Sequence, residues 1–314
     1  MTTLFGFMGS GRIIDEVMPQ PSDFLQLAQK VDSLGYDSIW VGDHISTHNP
    51  VMDAMTILTY FGSVTKRVKL GTGVLLLALR DPSLVAKQIS TLDWLTSGRV
   101  VVGVGVGGED PGDFNAVGVP IKERGARTGE SILAMKSLWA SDSASHHGTF
   151  FNFDKVSIKP QSIQKGGPPI WLGGRSTVAL KRIAQVGDGW YSYMVSPRRF
   201  VDGMNIIRDE VERIGRDISD LSGALLVPIR IGDNEKVARQ ELSDHLADRY
   251  AKKFDDHVID NYCLAGSSSK ICERIKEYLE AGVSHVVFMH AGPVSELQDA
   301  SAQIYEEVVN KQWN

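Results

Sequence analysis

In Ser38-Ile39-Trp40-Val41-Gly42-Asp43-His44 an apolar run stops on a glycine and delivers a carboxylate and an imidazole to whatever follows. An unperturbed imidazole titrates near neutral pH and can give or take a proton in a transition state, so His44 is the first candidate for acid–base catalysis. Asp43 is a candidate to orient or charge-tune it, although adjacent residues often point in different directions. The plainer reading of a lone histidine is a satisfied loop residue. Position favours catalysis, because chemistry in parallel α/β proteins collects at the C-terminal ends of strands.

A second set of residues could hold an anion. Gly173-Gly174-Arg175-Ser176-Thr177 places two glycines, a guanidinium and two hydroxyls between an apolar run and a helix, where backbone N–H groups can surround a phosphate. A tight turn with a helix cap would need the same residue types. Arg198-Arg199 follow Ser196-Pro197 at an expected helix start, where cations oppose the helix dipole and an acidic partner would explain them. Gly103-Val104-Gly105-Val106-Gly107-Gly108 satisfies GxGxxG. A dinucleotide site needs a helix immediately afterwards, however, and none is expected before about Ile121. The glycines therefore read as a flexible loop through which the backbone approaches a flat ligand.

Other matches carry little. Ser267-Ser268-Ser269-Lys270 fits SxxK, but a helix cap explains it. His146-His147, and His44 with His48, lack a carboxylate or third ligand at a useful spacing, so no metal is expected. The expected strand ends offer no lysine suited to Schiff-base chemistry.

The elements that must position these residues alternate regularly. Strands are expected at 5–9, 38–44, 68–72, 100–105, 170–174, 189–192, 224–227 and 286–289, separated by stretches of helical periodicity. The β-branched run at 100–105 suits a strand buried on both faces, as in a parallel sheet. Aromatic alternation within 146–160 breaks the rhythm and suggests a small hairpin. Eight strands alternating with helices, with no linker between them, predict a single (β/α)8 TIM barrel over 1–314, with a short insertion after the fourth helix.

The 314 residues, 42% of them hydrophobic, can build a substantial core. A net charge of -5 without a basic block argues against nucleic acid or an anionic membrane as partner and leaves a small-molecule substrate. No apolar run is long enough to span a bilayer, the N-terminus lacks signal-peptide character, and Cys263 and Cys272 form no CxxC pattern. A reducing cytoplasm is the expected setting.

Trp40-Val41-Gly42-Asp43-His44, Leu70-Gly71-Thr72-Gly73-Val74, Asp93-Trp94-Leu95-Thr96-Ser97-Gly98-Arg99, the glycines of 103–109, Pro169-Ile170-Trp171-Leu172-Gly173-Gly174 and Gly187-Asp188-Gly189-Trp190 together resemble the bacterial-luciferase-like flavin- or deazaflavin-dependent oxidoreductases. Gly118-Val119-Pro120 and Glu123-Arg124-Gly125 are similar to the branch labelled coenzyme F420-dependent. The resemblance implies a planar ring across the C-terminal mouth of the barrel, supported by a non-proline cis peptide at Gly73-Val74. It makes Gly73, Val74, Gly105, Gly107, Glu109, Gly173, Gly174, Arg175 and Ser176 cofactor-binding residues and sets His44 near the reacting ring. Arg198 and Arg199 would suit the acidic tail of coenzyme F420. Phe7, Met8, Tyr191, Tyr193, Met289 and His290 would supply an apolar, partly aromatic substrate pocket.

The implied activity is that of an oxidoreductase. A deazaflavin such as coenzyme F420 transfers hydride to or from a small organic substrate, whereas reduced FMN can deliver an oxygen atom, as in a luciferase-type monooxygenase. FMN use would add a flavin reductase as partner, and such barrels usually form homo-oligomers. A non-catalytic flavin-binding protein on the same barrel is the alternative from another class.

Overall fold

The computed structural model describes residues 3–11, 13, 18–108, 110–217 and 221–313. From the N-terminus, β1 (Leu4–Ser10), α1 (Pro21–Leu34), β2 (Ser38–Val41), α2 (Ala54–Val64), β3 (Lys69–Thr72) and β4 (Leu75–Leu76) lead to α3 (Pro82–Leu95) and β5 (Val100–Gly105). Then come α4 (Pro111–Val117), α5 (Arg124–Ala140), β6 (Ala144–His147), β7 (Asn152–Val156), β8 (Ile170–Leu172), α6 (Thr177–Val186), β9 (Gly189–Tyr193) and α7 (Pro197–Ile214). The chain continues through β10 (Ser222–Ile231), α8 (Glu235–Tyr250), α9 (Asp256–Tyr262), β11 (Leu264–Gly266), α10 (Ser268–Glu280), β12 (His285–His290) and α11 (Leu297–Ile304).

β1, β2, β3, β5, β8, β9, β10 and β12 pair in that order, every pair is parallel, and β12 returns to β1. This is the expected closed (β/α)8 barrel. The expected hairpin is β6 with β7, an antiparallel pair after α5. Two elements depart from expectation. β11 adds a short strand to the end of β10, and α4 begins at Pro111 where only a loop was expected. A proline at the start explains α4, and the same device opens α1, α3 and α7: a fixed φ and no N–H suit the first helical turn.

Strand alternation sends successive side chains into the barrel and out to the helices. Inside are Met8, Trp40, Val101, Trp171, Tyr191, Ala224, Leu226, Val287 and Met289. Phe5, Phe7, Ile39, Val41, Val100, Val102, Val104, Val286 and Phe288 point outward into the helix layer. Large interior rings need small neighbours. Trp40 stacks at 5.4 Å on Trp171 and occupies space that a Cβ at Gly71 would take, while a Cβ at Gly189 would lie 2.7 Å from Trp171 Cδ1. Trp40 Nε1 donates to Ser38 Oγ at 2.7 Å, and that oxygen lies 2.7 Å from His285 Nε2, so this interior polar group is satisfied. Among the described residues no helix is long and apolar enough to cross a membrane.

Gly103, the first glycine of the GxGxxG stretch, has a structural duty. A Cβ there would fall inside the radius of the Thr72 carbonyl oxygen, which is backbone and cannot swing aside, and Thr72 Oγ1 donates to the Gly103 carbonyl at 2.8 Å. Gly103→Ala is expected to cost at least the ~1–3 kcal/mol of ordinary overpacking. The check is the denaturant midpoint of unfolding; a midpoint equal to that of the parent would refute the close approach of β3 and β5.

Candidate active site

The C-terminal ends of the barrel strands surround a cavity of about 580 Å³, and most of the residues singled out in the sequence meet there. Gly42, Asp43, His44, Gly73, Val74, Gly105, Gly107, Gly173, Gly174, Arg175 and Ser176 all line it. Between β3 and β4 the Gly73-Val74 peptide is cis, as the resemblance implied. One wall is shaped for a flat body. Gly105 lets Val74 lie across it, and Cβ atoms at Gly42 and Gly173 would meet nothing nearer than 3.5 Å and 3.7 Å, so bare backbone faces the cavity there. Glu109, the remaining residue expected on this wall, lies outside the described residues.

His44 leaves β2 at the rim, and its Nδ1 lies 2.8 Å from Oδ2 of Asp113 in α4. A carboxylate only accepts, so the imidazole donates from Nδ1, which puts its basic nitrogen at Nε2. The other oxygen of Asp113 accepts the backbone N–H groups of Ile45 and Ser46 at 2.7 and 2.8 Å. Asp113 is fully buried and its carboxylate thereby satisfied. The dyad is therefore His44–Asp113.

Asp43 has other partners. Its carboxylate accepts from Leu76 N at 3.1 Å, Ala54 N at 3.4 Å and Arg80 Nη2 at 2.8 Å, tying β4 and the start of α2 to the end of β2. It holds the segment that carries the cis peptide. The expectation that no carboxylate accompanies His44 is also corrected: Asp110 Oδ2 lies 3.7 Å from Nδ1, and ligand atoms of His44, Asp110 and Asp113 lie within 4.8 Å of one another. The missed signal was Asp110-Pro111, a helix-start pair whose helix returns two carboxylates to a histidine distant in sequence. Those same acids disfavour a pyrophosphate at the start of α4, as the glycine-rich stretch would need in a nicotinamide enzyme.

On the cavity wall after β8, Gly174 takes a φ of 125°, Ser176 Oγ caps α6 by accepting from Ala179 N at 3.3 Å, and the Ser176 hydroxyl keeps its proton to donate. Arg175 Nη1 reaches the Met194 carbonyl at 3.3 Å, and Arg199 Nη2 reaches the Arg175 carbonyl at 3.2 Å. Arg175, Arg198 and Arg199 share an adjoining groove of about 480 Å³ with Asp202. Arg124, at the start of α5, packs against Gly108 and is a cation that the sequence reading left without a role.

The expected substrate pocket divides. Tyr191 and Tyr193 line the cavity, and burial pushes both phenols well above their ordinary pKa, so they stay neutral. Met8 and Met289 belong to the barrel's interior packing. Phe7 and His290 do not face the cavity: Phe7 lies against Tyr36 in the helix layer, and His290 meets Arg230 and Glu296 in a separate recess. Both fall on the outward parity of their strands.

Residues 3–285 match the sequence model of the luciferase-like monooxygenase family. An F420-dependent glucose-6-phosphate dehydrogenase of Amycolatopsis mediterranei is 28% identical, over 93% of this chain and 94% of that protein. Among solved structures, an F420-dependent secondary alcohol dehydrogenase bound to an F420-acetone adduct superposes with a TM-score of 0.85 at 20% identity, over 98% of this chain and 99% of the other. The oxygenating constituent of 3,6-diketocamphane monooxygenase from Pseudomonas putida, in complex with FMN, gives a TM-score of 0.80 at 18% identity, over 100% of this chain and 99% of the other.

The dyad generates a double-mutant test. His44→Ala is expected to lower turnover by about 10² or more with cofactor affinity little changed, and Asp113→Asn by roughly 10–10², because the imidazole loses its fixed tautomer. The double variant should be no slower than His44→Ala alone, since the two act as one unit. Steady-state kinetics of the three variants decide; multiplicative losses would mean that the residues act separately.

Proposed function

The chain belongs to the luciferase-like monooxygenase family, and from that premise we propose that it is an oxidoreductase in which reduced coenzyme F420 passes hydride to a small organic substrate. The observation that carries this reading is the cavity itself, lined together by His44 held on Asp113, by bare backbone beside the cis Gly73-Val74 peptide and by the turn of Gly173, Gly174, Arg175 and Ser176. The residues fit a flavin-type group. The glycine wall admits a planar ring, and the N–H groups after β8, with Arg175 and Ser176, would hold its phosphate. When bound, the cofactor supplies the hydride chemistry. The chain's own part is proton handling: His44 Nε2 gives or takes the proton at the substrate oxygen, and Asp113 stabilises the imidazolium that results. That dyad argues against a protein that merely stores flavin.

Two observations favour coenzyme F420. The relative from Amycolatopsis mediterranei is named for that cofactor, and the groove beside the phosphate turn carries Arg198 and Arg199, which suit an acidic tail. One observation favours FMN: Asp202 stands in the same groove and repels such a tail, whereas FMN needs only the turn at 173–176. With FMN the family's oxygen chemistry and a partner flavin reductase become the reading. The homo-oligomer and the cytoplasmic setting expected from the sequence remain parts of this proposal.

Anaerobic titration with each cofactor tests the choice. Reduced coenzyme F420 is expected to bind, and Arg175→Ala to weaken it by about tenfold or more, as the loss of a charge-assisted contact should. Tight FMN binding without coenzyme F420 binding would reverse the choice of cofactor, and equal affinity of Arg175→Ala would relocate the phosphate.

A further inference from the structure

The last turn of α8 covers part of the cavity, whose wall includes Arg249 and Tyr250. That end of the helix is tied down by polar contacts: Tyr250 Oη donates to Tyr193 Oη at 2.9 Å, and His48 Nε2 meets the Asp248 carbonyl at 2.8 Å. Leu242 and Leu246 anchor its inner face in the same apolar cluster as Leu226 and Met289. His245 belongs to this inner side as well. Its Nε2 is buried without a hydrogen-bond partner among the described residues.

Arg249 of its own helix, Arg230 of β10 and His290 of β12 each disfavour a charge on His245, and the acid one turn before it on α8, Glu241, is engaged by Arg230. Of the other elements packed on α8, β11 carries no titratable side chain, and Asp256 and Asp260 of α9 are engaged by Arg239. Arg230 is itself held by Glu241 of α8 and by Glu296, both at 2.7 Å, and His290 Nε2 lies 3.2 Å from Glu296. Thus α8 stays closed through apolar anchors and ion pairs while carrying a half-buried imidazole whose Nε2 has no partner among the described residues. Burial and the surrounding cations push His245 down to about 3; burial, only partly offset by Glu296, pushes His290 down to about 4.

We propose that α8 is an acid-released cover of the cavity, shifting from neutral to mildly acidic pH toward an open arrangement in which His245 reaches water and takes up a proton. The sign follows from linkage. A histidine depressed in the closed form is protonated only on opening, so opening is little affected above the ordinary imidazole value near 6.5 and grows below it until the closed-form value is reached. One such histidine multiplies the opening equilibrium about tenfold between pH 7.5 and pH 5.5, and His290, if freed with it, adds up to about tenfold more.

This regulates the site assigned above and takes its meaning from that assignment, but it can be read without any cofactor. Hydrogen exchange of the full chain, corrected for intrinsic rates, would be followed in peptides from α8 and, as reference, from α3 at both pH values. Protection of α8 is expected to fall about tenfold or more at pH 5.5, with α3 unchanged relative to it. His245→Phe should reduce that fall by about tenfold, and His245→Asn provides the same readout if the larger ring prevents folding. An α8 response that is absent, or equal in the parent and the folded variants, overturns the proposal. Failure of both cofactors to bind would remove the cavity assignment while leaving the α8 result standing.

Discussion

Asp113 is fully buried, and its two oxygens accept from Nδ1 of His44 and from the backbone N–H groups of Ile45 and Ser46. An isolated buried carboxylate is costly, so these three bonds bind α4 firmly to the loop after β2. One contact thus fixes where two strand-end loops lie and which imidazole nitrogen is the basic one. The arrangement shares its logic with other acid–histidine pairs: the acid orients the base and compensates the charge that develops on it. Asp43, next to His44 in the chain, applies the same economy to a different task, joining β4 and the start of α2 to β2.

Beneath the dyad, packing inside the barrel gives the cavity its floor. Trp40 and Trp171 fill the interior where Gly71 and Gly189 leave room, and Tyr191 lies 4.7 Å from Trp40. Large and small residues alternate around the barrel so that its lower part is solid and its mouth open. Gly105 and Gly173, higher on their strands, face the cavity. Glycine therefore does two jobs along one strand: Gly103 admits the backbone of β3, and Gly105 admits Val74.

The barrel was legible because strand periodicity and helix starts are local signals. Val100 to Gly105 and Ser38 to Val41 announce themselves, and so do the Pro-initiated helices at Pro21, Pro82 and Pro197. The glycine turn at 173–176 and the Ser176 cap of α6 were legible for the same reason. The partner of His44 was not, because Asp113 is brought back to it by a seven-residue helix whose only advance notice is Asp110-Pro111. Strand parity misled the pocket reading in one respect. Phe7 and His290 sit at the right height but face the helix layer, and a strand shifted by one residue exchanges its faces entirely. The cluster of Arg230, Glu241, Glu296, His245 and His290 joins β10, α8, β12 and the turn before α11, and of its members the sequence singled out only His290, for a different place.

On this proposal one cavity would hold a flavin-type ring with its reacting edge at His44. A crystal structure of the protein with bound coenzyme F420 and a substrate-like alcohol tests it most directly. The ring is expected against Gly73-Val74, its phosphate on the turn of Gly174, Arg175 and Ser176, and His44 Nε2 within about 3 Å of the alcohol oxygen. A ring bound elsewhere, or His44 turned away from that oxygen while still bonded to Asp113, would contradict it.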